Sequence, residues 1–235
     1  MAKNLRETLS CAPEAVFRCL PRMGRVMLTS RVPGVTHERM GAVESVVVEQ
    51  GKVRCGGASH DAVIDPSAIR SIIVDRTGRM KDQALPRIDF MGEGDAIVIG
   101  VVGLDGLEVF DAALAGVGEG SALAEAERPP FQQSALAEND PGQDPLAAAC
   151  KAGLPITIEM RRPGSVQAWR GVVAEVKPAM GFINVMRPDF HLHLRGGSVR
   201  NWRREVSGPE VALWAEDDAG QRNGLVLRGT VGAFG

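Results

Sequence analysis

The sequence predicts an α+β fold of two tandem repeats, each a mostly antiparallel β-sheet flanked by a few helices. Three observations carry this. Sliding the chain along itself by 130 residues sets "RVPGVTHERMGAVESV" (31–46) over "RRPGSVQAWRGVVAEV" (161–176), matching Arg31 with Arg161, Pro33 with Pro163, Gly34 with Gly164, Gly41 with Gly171, Val43 with Val173 and Val46 with Val176. The same register continues without a gap to match Arg70 with Arg200. Finally, 28 glycines and a low aromatic content without tyrosine suit a chain rich in turns and strands.

Taken in order, the elements agree with that class. "APEAVFRCL" (12–20) carries Pro13 near its start and apolar Val16, Phe17 and Leu20 on one face, which predicts a short amphipathic helix. "GRVMLTS" and "LPITIEM" open the two copies as apolar strands, and each runs into a Pro-Gly turn that reverses the chain. "GAVESVVVEQ", "GVVAEVKPA" and "HLHLR" alternate apolar and polar residues, the period of a half-buried strand. "RIDFMGEGDAIVIGVVG" and "EVALWAEDDAGQRNGLVLRG" each hold two apolar runs around a turn rich in Gly and acid, the pattern of a hairpin. "LEVFDAALAG" (107–116) and "PLAAACKAG" (145–153) read as short helices ended by Gly116 and Gly153. The resulting division is an N-terminal repeat over 1–116, a linker with a short helix over 117–152, and a C-terminal repeat over 153–235.

Composition excludes several functions. A net charge of -2 offers no general field for nucleic acid. Cys11, Cys19, Cys55 and Cys150 are too scattered for a zinc knuckle or a disulfide framework. No stretch approaches about 18 consecutive apolar residues, so no membrane insertion is expected, and the N-terminal stretch lacks the pattern of a signal peptide. A cytoplasmic location follows as an expectation. Hydrolase and P-loop motifs are absent: there is no G-x-S-x-G, no G-x-x-x-x-G-K-[ST] and no H-E-x-x-H.

"VTHERMG" (35–41) in the first copy and "INVMRPDFHLHL" (183–194) in the second resemble the HemS/ChuX superfamily of bacterial haem-utilisation proteins, in particular its two-repeat branch. The resemblance implies two antiparallel sheets with helices and haem, or a related tetrapyrrole, held in a cleft between the repeats. It implies intracellular haem transfer or iron acquisition, or oxidative degradation of haem. The family takes its axial histidine from a helical segment between the copies. Here the matching stretch, Gly116 to Gly153, holds none, and the family's haem-holding arginine is matched by Val63. These departures favour transfer over degradation. The competing expectation is a degenerate, non-enzymatic relative that binds another small molecule or a protein partner.

The candidate chemistry lies in few residues. His37 faces Gln167 in the repeat register, and a position that differs between matching copies points to a site, so His37 is the first candidate iron ligand; the alternative is a strand-surface histidine paired with Glu38 or Asp61. His191 and His193, two apart on a strand, project to one face; they are either a ligand pair or ordinary strand positions, and no third ligand stands nearby at a useful spacing. Of these two, His193 matches the family pattern. Arg161, Arg162, Lys177 and Arg195 belong to a basic surplus in the second copy that would serve haem propionates or simply a solvated face. Trp169 and Trp202 read as core residues or as rings at the rim of a haem cleft, and Met40, Met91, Met180 and Met186 as core packing or axial ligands.

Overall fold

The computed structural model describes residues 4–124 and 136–235. The chain forms two compact units, the first comprising Met1–Ser30, Arg39–Pro129 and Arg162–Val166, the second Arg31–Glu38, Pro130–Arg161 and Gln167–Gly235. The division differs from contiguous stretches of sequence at the tips of the two Pro-Gly hairpins. Part of the expected linker, residues 125–135, lies outside the described residues.

The chain runs through β1 (Arg6–Ser10), α1 (Pro13–Phe17), β2 (Arg25–Val32), β3 (Val35–Ala42), β4 (Ser45–Glu49), β5 (Lys52–Gly56), β6 (Asp61–Ile64), β7 (Ser71–Asp75), β8 (Arg79–Met80), β9 (Gln83–Ala84), β10 (Arg87–Met91), β11 (Ile97–Gly103), α2 (Leu107–Ala113) and β12 (Glu119–Ala122). It continues through α3 (Asp144–Ala152), β13 (Pro155–Arg162), β14 (Ser165–Val172), β15 (Lys177–Ala179), β16 (Phe182–Arg187), β17 (Phe190–Arg195), β18 (Asn201–Ser207), β19 (Glu210–Glu216), β20 (Arg222–Thr230) and α4 (Val231–Phe234).

In the first unit, β12, β1, β7, β10, β11 and β2 lie side by side in that order, and β6, β5 and β4 form an antiparallel meander. The expected hairpin of "RIDFMGEGDAIVIGVVG" is β10 with β11. The helix expected over 12–20 is shorter: α1 stops at Phe17 and a tight turn over Leu20–Arg22 follows, where Pro21 has no N–H to continue an α-helical ladder. Phe17 stacks on Phe90 with ring centroids 4.1 Å apart, at the heart of a core that includes Leu28, Ile64, Ile88, Ile99 and Phe110.

In the second unit β18, β19, β20, β13 and β14 are neighbours, and β17, β16 and β15 form a meander with the Val35–Glu38 half of β3 beside β17. β13 buries Ile156, Ile158 and Met160 on alternate positions, as the period of "LPITIEM" dictates. "GVVAEVKPA" departs from its expected strand: Val173 is buried, but the chain leaves the sheet over 173–176 before β15 begins. Helix α3 ends as expected at Gly153, whose left-handed φ of 64° lets its N–H reach the Ala149 and Cys150 carbonyls. Trp169 stacks on Phe190 at 4.6 Å within this unit's own core.

Residues 130 apart make matching contacts at the two hairpin tips. Gly34 accepts a hydrogen bond from Arg195 N–H at 2.7 Å, and Gly164 accepts one from Asp65 N–H at 2.8 Å. Both glycines have left-handed φ, 79° and 82°, and a Cβ on either would collide, with Ser198 at the first and with Ala68 at the second.

Candidate functional site

β17 reads Phe190-His191-Leu192-His193-Leu194-Arg195, and strand alternation sends its two sets of side chains to opposite faces. Phe190, Leu192 and Leu194 are fully buried in the second unit's core, which leaves His191, His193 and Arg195 on the other face. The register aligns Lys177 on β15, Asn184 on β16 and His193 on β17 in one row across the meander. The rows on either side pair Met186 with His191 and Phe182 with Arg195. This face therefore carries two imidazoles, two cations, an exposed Met186 and a half-buried Phe182.

Asn184 fixes the chemistry of His193. Its amide nitrogen donates to the Lys177 and Phe182 carbonyls at 3.0 and 3.2 Å, so its oxygen must face the ring. That oxygen lies 2.7 Å from His193 Nδ1 and can only accept. Nδ1 thus carries the proton, and in the neutral ring Nε2 presents a lone pair outward.

Glu38 faces that lone pair. On β3, Val35 and His37 turn into the core, and Glu38 turns to the opposite face, beside the histidines. Its Oε2 lies 3.6 Å from His191 Nδ1 and 3.6 Å from His193 Nε2, and its Oε1 lies 3.6 Å from Arg31. At that separation neither imidazole contact is a hydrogen bond. Burial alone would push the Glu38 carboxyl up, but the two imidazoles, which offer N–H donors and positive charge once protonated, and Arg31 together outweigh it and hold it down at about 2. Among the described residues, Glu38, His191 and His193 are the one group of three metal-ligating side chains whose donor atoms all lie within 4.8 Å of one another.

The expected site residues scatter. His193, Lys177 and Arg195 share the face just described. His37 does not: it is fully buried, its Nε2 lies 3.1 Å from the Ile158 carbonyl, its Nδ1 lies 2.9 Å from Gln167 Nε2, and its ring packs against Phe190 at 4.9 Å. With both ring nitrogens engaged inside the core, His37 presents no lone pair to an iron at the surface, which corrects its place as first candidate ligand. Arg161 pairs with Glu159 at 2.7 Å. Arg162 belongs to the first unit, where burial pushes its guanidinium down and its Nε finds no hydrogen-bond partner among the described residues. It lines a cavity of about 410 Å³ with Arg70, Ala68, Val98 and Pro163. Lys177 is exposed, 3.8 Å from Glu175. Trp169 is a core residue, Trp202 donates to the Pro141 carbonyl, and Met180 and Met186 are exposed rather than packed inside.

Two partners escaped the sequence, Glu38 as the third potential donor and Asn184 as the group that orients His193. Alternation along "VTHERMG" puts Glu38 out of phase with buried His37, but no local pattern says that β3 lies beside β17.

No protein-family model and no curated protein sequence matches the chain. Solved structures do. One is holo-PhuS, a haem-binding protein from Pseudomonas aeruginosa, with 17% identity and a TM-score of 0.74 over 96% of this chain and 81% of that one. Another is ChuS, an E. coli haem oxygenase, with 15% identity and a TM-score of 0.76 over 96% of this chain and 83% of that one. No helix among the described residues is long and apolar enough to cross a membrane. At these identities the likeness speaks for architecture, and the chain has the fold of PhuS and ChuS, the one implied by its resemblance to the HemS/ChuX superfamily.

Proposed function

We propose that the chain binds haem or a related tetrapyrrole on the β15–β17 face of its second unit, for intracellular transfer or iron acquisition rather than degradation. The observation that carries this is the row Lys177, Asn184, His193. It offers an imidazole with its outward lone pair set by Asn184, with cations Lys177 and Arg195 at hand for propionates and Met186 and Phe182 for the porphyrin plane. The fold shared with haem-binding PhuS supports the ligand class by analogy. Val63 at the family's arginine position, and the lack of a histidine between Gly116 and Gly153, favour transfer.

The test is an absorption titration of the full chain with haemin. Saturable binding with a shifted Soret band is expected, altered in His193→Ala and unchanged in His37→Gln. A spectrum that never saturates at micromolar protein overturns the reading.

A second reading, a relative that takes a different small molecule, rests on the Arg162 Nε without a hydrogen-bond partner and on Arg70 in the 410 Å³ cavity of the first unit, a setting for a small carboxylate or phosphate ligand. Thermal stabilisation by such anions, lost in Arg162→Leu, together with a null haemin titration, would favour it.

A further inference from the structure

We infer that Glu38, His191 and His193 form a mononuclear site for a divalent first-row transition metal ion of the zinc or ferrous type. Two imidazoles and one carboxylate are a donor set that such ions take, with positions left over for water. Those leftover positions are available here: the side chains are 11%, 25% and 30% exposed, so a hydrated ion can reach them without opening the fold.

The spacing fits an ion better than it fits direct contact. Two donors bound to a tetrahedral zinc at about 2.0–2.1 Å stand about 3.4 Å apart. Glu38 Oε2 stands 3.6 Å from both imidazole nitrogens, too far for hydrogen bonds and a few tenths of an ångström from bridging geometry. Metal-bound histidines characteristically donate their other N–H to an oxygen that fixes the ring, and His193 does this through Nδ1 to Asn184 at 2.7 Å. Arg31 engages the other carboxylate oxygen, Oε1, and leaves Oε2 to the imidazoles.

The site is single. The positions 130 residues away from Glu38, His191 and His193 are Ala168, Asp61 and Val63, and this set cannot ligate in the same way. The three donors are thus a feature of one copy, laid over a scaffold that both copies share.

Metal binding by these three side chains needs no haem. Metal-stripped full chain is titrated with zinc by calorimetry and with cobalt(II) by visible absorption, no porphyrin being present. One equivalent should bind, with cobalt d–d bands and no thiolate charge-transfer band. His191→Asn and Glu38→Gln should each weaken binding at least about ten-fold, and Asn184→Ala about ten-fold by loosening His193. Unfolding curves of each variant separate a lost ligand from a lost fold, and His191→Asn, on a side chain more exposed than Glu38, carries the decision if Glu38→Gln unfolds. Binding that never saturates, that persists within two-fold in His191→Asn, or that shows thiolate bands from the cysteines overturns the site. A null haemin titration leaves it standing, and a null zinc titration leaves the haem reading standing.

Discussion

His37 and Gln167 occupy the same position in the two copies of the chain, 130 residues apart, and hydrogen-bond to each other at 2.9 Å. Gln167 Nε2 donates to His37 Nδ1 and also to the His37 carbonyl at 3.2 Å, while His37 Nε2 donates to the Ile158 carbonyl. A difference between matching copies, which in sequence looks like the mark of a ligand, is here the two complementary halves of one buried polar contact.

The consequence is a structural role. His37→Ala strands buried partners and leaves a void against Phe190, and should cost about 2–4 kcal/mol. Urea unfolding of the variant measures the loss, and zinc binding to the folded fraction should match the wild type. Unchanged stability with lost metal or haem binding would return His37 to the site.

This case also shows what was legible in the sequence. Strand period and Pro-Gly turns expose β2, β3, β13, β14 and the β10–β11 and β19–β20 hairpins, because each buries one face and reverses at residues with special φ. β1 and β12 were not legible: "RETLS" and "EGSA" have little apolar alternation, and β12 is exposed throughout, so pairing rests on backbone hydrogen bonds that any sequence can make. The face carrying His191 and His193 was readable from the period of "HLHLR". Their third partner was not, since adjacency of β3 and β17 is set by the packing of the whole unit rather than by local pattern.

The matching hairpin tips give a prediction about shape. Gly34→Ala must adopt a left-handed φ of 79° and also meet the Ser198 side chain, whereas Gly51→Ala, at φ 70°, meets nothing within 4 Å. Left-handed backbone costs alanine about 1–2 kcal/mol, so Gly51→Ala should lose about that much and Gly34→Ala clearly more. Ser198→Gly should restore part of the excess in the double variant. Equal losses at the two glycines would mean that the hairpin tip yields freely.

His60 sets a pH response in the first unit. Its Nε2 lies 3.0 Å from the Gly41 carbonyl, and its buried Nδ1 has no hydrogen-bond partner among the described residues. Burial pushes its pKa down, Arg39 adds to this, and the Gly41 contact and Glu44 oppose it. A histidine whose folded pKa lies below its unfolded value takes up its proton first in the unfolded chain. Its stabilising contribution is complete above the unfolded pKa of about 6.5, falls as pH drops through it, and levels off below the folded pKa. Unfolding free energies measured between about pH 8 and pH 5 should fall less in His60→Gln than in wild type. Parallel curves would show that His60 protonates equally in both states.

Arg76 is the most committed charge in the first unit. It is 5% exposed, with Nη1 2.7 Å from Glu7, Nε 2.8 Å from Asp111 and a further bond to the Asn4 carbonyl. Arg76→Met leaves two shielded carboxylates without their counter-ion and should cost about 3–5 kcal/mol. Adding Glu7→Gln and Asp111→Asn should recover part of it, because the loss is chiefly that of unpaired charge. A triple variant no more stable than Arg76→Met would place the cost in packing instead.

Glu38 makes the haem and metal readings separable in one experiment, because both draw on His193 but only the metal uses the carboxylate. If zinc sits on His191 and His193, their lone pairs are taken and haem must displace the ion. Zinc held at about 100 times its Kd should then weaken haem binding by about 100-fold, and a chelator should restore it. In Glu38→Gln, where zinc is held about ten-fold more weakly, the same zinc concentration should weaken haem binding only about 10-fold. Haem affinity indifferent to zinc in the wild-type chain would place the tetrapyrrole away from His191 and His193, and would leave those imidazoles to the metal alone.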